Sequence, residues 1–499
     1  MQKFGSLVVQ KFDYIVLFVL NALEMILELV AARLLSPYFG NSNFVWTAII
    51  GIILLSASIG NLIGGRLAKL KTARYWTCLL LLFASIYIAV TPLIDVPLLQ
   101  SIKNGDMGVQ FSSVFSSIVF FLIPSSILGI VSPIIMKERI GDGKDKAKES
   151  GRITAIIAIG SLFGTFIGGF WLIPALGTKL IFALIALIVT LSTLLFFPYN
   201  HVKSYGYKLS YVFLLLITLI LNSISIITVI NQENNDISID TEYGRIIIEE
   251  GERDGEKVLF YKQSGAYSSA TYMDERKYEL VFDYLKEYDM MFNFKDVKDV
   301  AMIGGAAYQY PKYFISHFPD KTMDVIEIDP MSTEIAKKYF YLNDLIQDYG
   351  EDRLGLYNED GRVFLADSDK KYDAVLNDAF SGEVPVGTLA TVEAAKIIKN
   401  SLSDNGVYIS NVLGALSGDK GKFLRAEVKT LNKVFKHVYV VKIHDNAKNN
   451  SYTNWMVVAT DNENYKPDNT VDLDINDQDI VLTDDYNPID SLITTSYHD

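Results

Sequence analysis

The sequence predicts a bundle of membrane-spanning α-helices followed by an α/β domain with a Rossmann-like parallel sheet. Three observations carry this expectation. Residues from about Tyr14 to about Ile230 hold repeated apolar runs of about 20 residues, the length that crosses a hydrocarbon core. From about Val297 onward, short apolar strands alternate with amphipathic helical stretches, the pattern of βαβ units. Between the two lies a stretch of strict alternation broken by glycine turns. A length of 499 residues also exceeds a single typical core. The expected division is 1–232 for the helical bundle, 233–290 for a small β-element with a following helix, and 291–499 for the Rossmann-like domain.

About seven spans are expected, near residues 14–35, 44–65, 76–96, 111–135, 153–174, 179–198 and 209–230. The first is long, carries two glutamates and lacks a small-residue cleavage site, so it reads as a span and not as a signal peptide. The basic segments Arg66–Arg74, Lys137–Arg152 and His201–Lys208, with Lys3 and Lys11, are all expected on the cytoplasmic side of a cell membrane. An odd number of spans then puts the C-terminal half outside, whereas a domain for a cytosolic metabolite belongs inside. The side facing the active site stays open at this point.

Gly60-x3-Gly64-Gly65 and Gly160-x3-Gly164-x3-Gly168-Gly169 are ridges of small residues that let helix backbones approach closely, and their likeness also fits an internal repeat of transporter type. Glu24 and Glu28 are four apart and share one face of the first span. Carboxylates at that depth point into a bundle interior or a wet cavity. Two readings are open: a buried polar clamp with Asn21, Asn61 or Arg33, or a site for a cation or polyamine.

In the second region, Arg245–Glu250 and Lys257–Lys262 flank Gly251–Gly255 and read as an antiparallel β-element. Asp274–Tyr288 has Tyr278, Leu280, Val281 and Tyr284 at helical spacing. Further on, Tyr310–His317, Pro330–Tyr341 and Val392–Leu402 are candidate helices, and Pro330 suits a first-turn position.

The net charge of −13 argues against nucleic acid as a partner, because phosphate contacts need a clustered cationic face. One cysteine, Cys78, rules out an internal disulfide framework and a cysteine-based zinc site. Five histidines without H-x-x-H or H-E-x-x-H spacing speak against a metal catalyst. The expected partners are the lipid bilayer and a small molecule, and a homo-oligomer is compatible with the sequence.

Candidate site residues sit at successive strand ends, where open α/β sheets bind ligands. Gly304 and Gly305 follow the strand Val300–Ile303 and allow a tight turn and close backbone approach. The turn reads GGAAYQY, so it is not the dinucleotide fingerprint. Glu327 ends the next strand, where an acid accepts hydrogen bonds from ribose hydroxyls. Asp360-Gly361 ends the third strand, where an acid takes an amino proton from a purine. Asp378 ends the fourth, ahead of the loop Ala379–Gly387, which is long enough for a lid. A carboxylate there can accept a proton from an amine nucleophile or bind a sulfonium. The alternative is a helix N-cap, which Pro385 and two glycines in the loop disfavour.

These residues resemble the spermidine synthase (polyamine aminopropyltransferase) family, and specifically its membrane-fused branch. The resemblance rests on Gly304-Gly305, Glu327-Ile328-Asp329, Asp360-Gly361-Arg362 and Tyr372-Asp373 with Asp378, across about Ser238–Ser410. Ala22-Leu23-Glu24 through Gly64-Gly65-Arg66-Leu67 looks like the membrane portion of that branch. The resemblance implies a methyltransferase-type sheet and a co-substrate that is decarboxylated S-adenosylmethionine or S-adenosylmethionine itself, with no metal. Glu327 would hold the ribose, Asp360 the adenine amino group, and Asp378 would be the base on the attacking amine, putrescine in the simplest case. Asp329, Gly304, Gly305 and Gly361 would complete the cofactor site, and Tyr267, Tyr278 and Ser381 would face the acceptor. Two positions depart from the family pattern. Ala307 stands where soluble members have an aspartate in the glycine turn, and Ser381 where they have a second aspartate three residues after the catalytic one. Both departures remove anionic contacts, which keeps a methyltransferase or an S-adenosylmethionine-cleaving enzyme in view, beside a polyamine transporter or sensor with a nucleoside-binding domain.

Overall fold

The computed structural model describes residues 2–40, 42–105, 108–140, 146–198, 204–235, 237–293, 296–381, 384–443 and 448–493. The chain forms two compact units that divide between Glu242 and Tyr243.

In the first unit, seven helices among the described residues are long and apolar enough to cross a membrane: Phe12–Phe39, Asn43–Leu67, Ala73–Lys103, Gly108–Ile140, Lys146–Leu172, Thr178–Phe196 and Tyr205–Asn231. The glycine ridges are packing surfaces. A Cβ on Gly64 would stand 2.6 Å from the Ile130 carbonyl oxygen, and one on Gly160 2.5 Å from that of Phe18, so only glycine lets these backbones touch. The fourth and fifth helices each widen into a π-helical turn, at Ile118–Leu122 and Gly168–Leu172. Pro124 and Pro174 follow these turns by two residues. A proline crowds the carbonyl four residues back, and an extra residue in the turn relieves the clash without ending the helix. The expected clamp at Glu24 does not form through Asn21, whose side-chain amide donates to Leu17 O at 2.7 Å. Arg33 donates to the Glu242 carbonyl.

The second unit opens with an antiparallel meander, Arg245–Arg253, Glu256–Gln263 and Ala266–Tyr272. Its two turns, Asp254-Gly255 and Ser264-Gly265, have positive φ at both central residues, as tight hairpins require. The helix expected over Asp274–Tyr288 is not there. Asp274 Oδ1 takes the Arg276 N–H at 2.9 Å, a side-chain turn that competes with helical bonding, and a 3-10 helix begins only at Asp283 and runs to Asn293.

The main sheet has eight strands: β1 Asp299–Ile303, β2 Thr322–Ile326, β3 Leu354–Tyr357, β4 Tyr372–Asn377, β5 Leu402–Gly414, β6 His437–Lys442, β7 Thr453–Thr460 and β8 Thr470–Val471. Their spatial order is β8-β6-β7-β5-β4-β1-β2-β3. Strands β1 to β5 are parallel, and β7 is antiparallel to both of its neighbours. The alternation along β1 explains the two cores. Val300 and Met302 face one apolar cluster, and Ala301 and Ile303 face the other. Because β1 pairs with both β2 and β4, the chain reverses its winding there. The crevice beyond the carboxyl ends of β1 and β4 is the ligand position of such sheets.

Candidate active site

The site begins with the turn after β1. Gly304 has φ of +92°, and a Cβ there would lie 2.6 Å from the Asp378 carbonyl oxygen. Glycine is therefore what lets the ends of β1 and β4 meet. Ala306 and Tyr308 also take positive φ, 45° and 57°, a strained backbone for residues with a Cβ. The strain is held by Glu327. Its Oε2 accepts from Gly305 N at 2.8 Å and Ala306 N at 2.9 Å, and its Oε1 from Asp329 N at 3.0 Å. Burial raises the pKa of Glu327, and the three backbone donors oppose that rise. Most of the carboxylate's acceptor capacity thus goes to the protein's own turn.

Asp329 and Asp360 serve as helix N-caps. Asp329 Oδ1 accepts from Met331 N at 3.0 Å ahead of Pro330–Tyr339. Asp360 Oδ1 accepts from Arg362 N at 2.9 Å and Val363 N at 3.0 Å ahead of Gly361–Asp367. Gly361 lets that short helix close on β1, since a Cβ would lie 2.5 Å from Ile303 Cγ2.

Asp378 caps no helix. The chain continues into a two-residue strand, Phe380–Ser381, paired with Val384–Pro385. Its Oδ1 accepts from Asn411 Nδ2 at 2.8 Å and its Oδ2 from the Tyr284 hydroxyl at 3.1 Å. Asn411 is held in turn by Asn454, whose Nδ2 donates to Asn411 Oδ1 at 2.9 Å. Neither of the groups bonded to Asp378 is charged. Burial therefore pushes its pKa up to about 6, against the two hydrogen bonds that pull it down. At neutral pH this is an ionised carboxylate whose proton affinity is above the ordinary range, which suits a proton acceptor. The Tyr288 hydroxyl donates to Asn377 O at 2.9 Å, so one 3-10 helix is fastened twice to the end of β4.

The sequence pointed to neither Tyr284 nor Asn411 as a site residue. The available signals were a polar residue inside the apolar run Tyr408–Leu413 and two tyrosines four apart before β1. Two proposed acceptor residues are engaged elsewhere. Tyr267 is 54% exposed and donates to Glu249 Oε1 at 3.0 Å on the meander. Tyr278 donates to Asp348 Oδ2 at 2.7 Å and packs edge-on against Tyr349. The side chain of Ser381 lies outside the described residues. Ala307 is fully buried.

Residues 285–466 match the spermine/spermidine synthase domain. That match spans about a third of the chain and lies within the second unit. A polyamine aminopropyltransferase of Vibrio vulnificus is 26% identical over 257 residues, 46% of this chain and 82% of the relative. The polyamine aminopropyltransferase 2 of Aquifex aeolicus is 22% identical over 440 residues, 84% of this chain and 82% of the relative. That alignment is longer than the second unit and so reaches into the helices. Among solved structures, a probable spermidine synthase from Corynebacterium glutamicum covers 45% of this chain and 80% of its own, at 20% identity and a TM-score of 0.39. The matched residues include the strands β1 to β7 of the main sheet and the acids at their ends.

Proposed function

We propose that the chain is an integral-membrane transferase that moves an aminopropyl group from decarboxylated S-adenosylmethionine to an amine acceptor such as putrescine. The single observation that carries the reading is Asp378, a carboxylate with neutral partners and a pKa of about 6, packed against the Gly304 turn. Its chemistry is a displacement. The neutral amine nitrogen attacks the methylene carbon next to the sulfonium, and the carbon–sulfur bond breaks. The bonding pair goes to sulfur, which leaves as neutral methylthioadenosine, and the extra N–H proton passes to Asp378. No covalent enzyme intermediate is needed, so the protein's work is alignment and proton removal.

In this reading the Gly304-Gly305 backbone lies along the adenosine. Glu327 accepts a ribose hydroxyl with its remaining capacity, and Asp360, partly exposed at the rim, takes the adenine amino group through Oδ2. The Tyr284 hydroxyl and Asn411 hold Asp378 toward the acceptor. Seven long apolar helices support the bilayer as the setting. One observation favours a second reading: Ala307 and Ser381 leave the cationic groups of the substrates without the two anionic contacts of soluble members. Full S-adenosylmethionine, used for methyl transfer or cleaved, fits that loss.

The test is to incubate the purified full chain with decarboxylated S-adenosylmethionine and putrescine and analyse the products by mass spectrometry. Methylthioadenosine with spermidine is the expected outcome. Absence of both would overturn the reading, and S-adenosylhomocysteine formed from full S-adenosylmethionine would establish methyl transfer instead.

A further inference from the structure

The helical unit contains a buried carboxyl group that the transfer chemistry does not use. Glu24 lies about midway along the first helix, Phe12–Phe39, and its Oε1 is buried with no hydrogen-bond partner. Helical phase sets its direction. Phe18 and Ala22 face the fifth helix, where Gly160 and Gly164 pack directly on them. At 3.6 residues per turn, Glu24 stands roughly 200° around the helix from that ridge. It shares its side of the helix with Leu17, Leu20, Leu27 and Ala31, all buried. The carboxyl group therefore lies on a buried flank of the first helix, on the side away from the fifth. Glu28 lies one turn further along the same flank.

A second observation comes from the fourth helix, which packs against the first. Ser116, Ser117 and Ser125 are fully buried, and their hydroxyls have no partner. A serine within a helix ordinarily bonds the carbonyl four residues back, as Ser113 does to Val109 O at 2.6 Å. The three unpartnered serines flank the π-helical turn Ile118–Leu122, where the regular ladder is interrupted. Backbone that departs from the regular ladder is tolerated at membrane depth where it is buried in protein or lines a cavity, and buried hydroxyls without partners are groups that a polar ligand can satisfy. The bundle is fastened by charge at the end bearing the basic loops. Arg74 pairs with Asp13 at 2.9 Å and with Glu138 at 2.6 Å, Arg139 pairs with Asp13, and Tyr14 bonds Glu149. Four helices meet in that latch.

The chemistry of the unused groups selects the ligand. Carboxylates accept only, hydroxyls accept and donate, and an ammonium group offers three donors. Two carboxylates on adjacent turns, with Cβ atoms about 5–6 Å apart, match a ligand carrying two such groups on a short chain. We propose that the helical unit carries a linear aliphatic polyammonium ligand through the bundle, with Glu24 and Glu28 as its binding carboxylates. The membrane setting rests on the function proposed above, and so, in part, does the choice of an amine, because that reaction's product belongs to the same class.

The full chain is reconstituted in phospholipid vesicles, and uptake of radiolabelled spermidine is compared with that of protein-free vesicles. Saturable uptake is expected, reduced at least tenfold in Glu24→Gln and kept within threefold in Glu24→Asp. A second measurement avoids dependence on variant folding. Dicyclohexylcarbodiimide, which enters apolar bundles and converts protonated carboxyls to acylureas, is expected to modify Glu24 in the wild-type chain, and excess spermidine to protect it. Wild-type uptake equal to the blank overturns the proposal, whether or not protons or alkali ions pass. So does unprotected labelling of Glu24, or uptake by Glu24→Gln equal to wild type. Transferase turnover is measured on the same preparation. Turnover without uptake sinks this inference alone, and uptake without turnover sinks only the enzymatic reading.

Discussion

Glu327 and Asp378 stand at the ends of β2 and β4, on either side of β1, and their surroundings are opposite in kind. Glu327 accepts three backbone N–H groups from the glycine turn and its own loop. Asp378 accepts one amide and one hydroxyl from side chains on other segments. At both acids burial raises the pKa and the hydrogen bonds oppose it; at Glu327 the donors are backbone groups fixed by the fold, and at Asp378 they are neutral side chains. The first arrangement shapes a binding surface, and the second leaves a carboxylate ready to take a proton. In the proposed reading, the kind of donor, and not the place at a strand end, distinguishes the acid that takes the proton from the acid that shapes the binding turn.

The largest effect expected from breaking this contrast is at Asp378. Asp378→Asn keeps the size of the side chain and removes the proton acceptor, so turnover is expected to fall about 10³-fold, within the range for a lost general base. Stability is expected to move the other way. The folded-state pKa of about 6 exceeds an unfolded value near 3.9. Ionisation therefore costs stability increasingly as pH rises through that window, and fully above it. At pH 8 the asparagine variant should melt at or above the wild-type temperature. A clearly lower melting temperature would mean that the carboxylate is a structural anchor after all.

The next largest effect is at Glu327. Glu327→Gln turns one oxygen into a donor facing the N–H groups of Gly305, Ala306 or Asp329, leaving buried donors unmatched at a cost of about 1–3 kcal/mol. In the proposed reading the turn lies along the adenosine, so KM for the adenosyl substrate should rise at least roughly tenfold, with a smaller change in kcat; a kcat loss matching that of Asp378→Asn would erase the distinction. Gly304→Ala tests the contact that joins the two regions. Its Cβ would meet the Asp378 carbonyl at 2.6 Å with φ at +92°, a strain of about 1–3 kcal/mol. Urea unfolding should register that loss, together with reduced turnover, because the strand ends must separate.

The same contrast explains what the sequence disclosed. Gly304, Glu327 and Asp378 were legible because strand periodicity fixes where a strand ends, and the residue just past the end has few roles. The caps were not separable from ligand contacts. An aspartate before Pro330 and one before Gly361 satisfy a helix N-terminus as readily as a bound adenine, and both serve as caps here. Tyr284 was hidden by a wrong expectation of regular helix: the Asp274 turn shifts the chain, so helical spacing from Tyr278 no longer reports a shared face. In the helical half, length and hydropathy gave the seven long apolar helices directly, while the π-helical turns depend on local backbone bonding that composition does not express.

The smallest effect separates the two donors on Asp378. Both stabilise the ionised form, so removing either raises the pKa, and the acid limb of the kcat/KM profile should move up from about pH 6. Asn411 donates at 2.8 Å and is itself held by Asn454, whereas the Tyr284 bond is longer at 3.1 Å. The shift in Asn411→Leu should therefore exceed that in Tyr284→Phe, which is expected to stay below about one pH unit and to cost only a few-fold in turnover at pH 8. The loss in Tyr284→Phe should deepen as pH falls from 8 to 6, because the unsupported carboxylate then carries a proton over more of the range. A loss that stays constant with pH would assign Tyr284 to holding the acceptor, with no influence on the base.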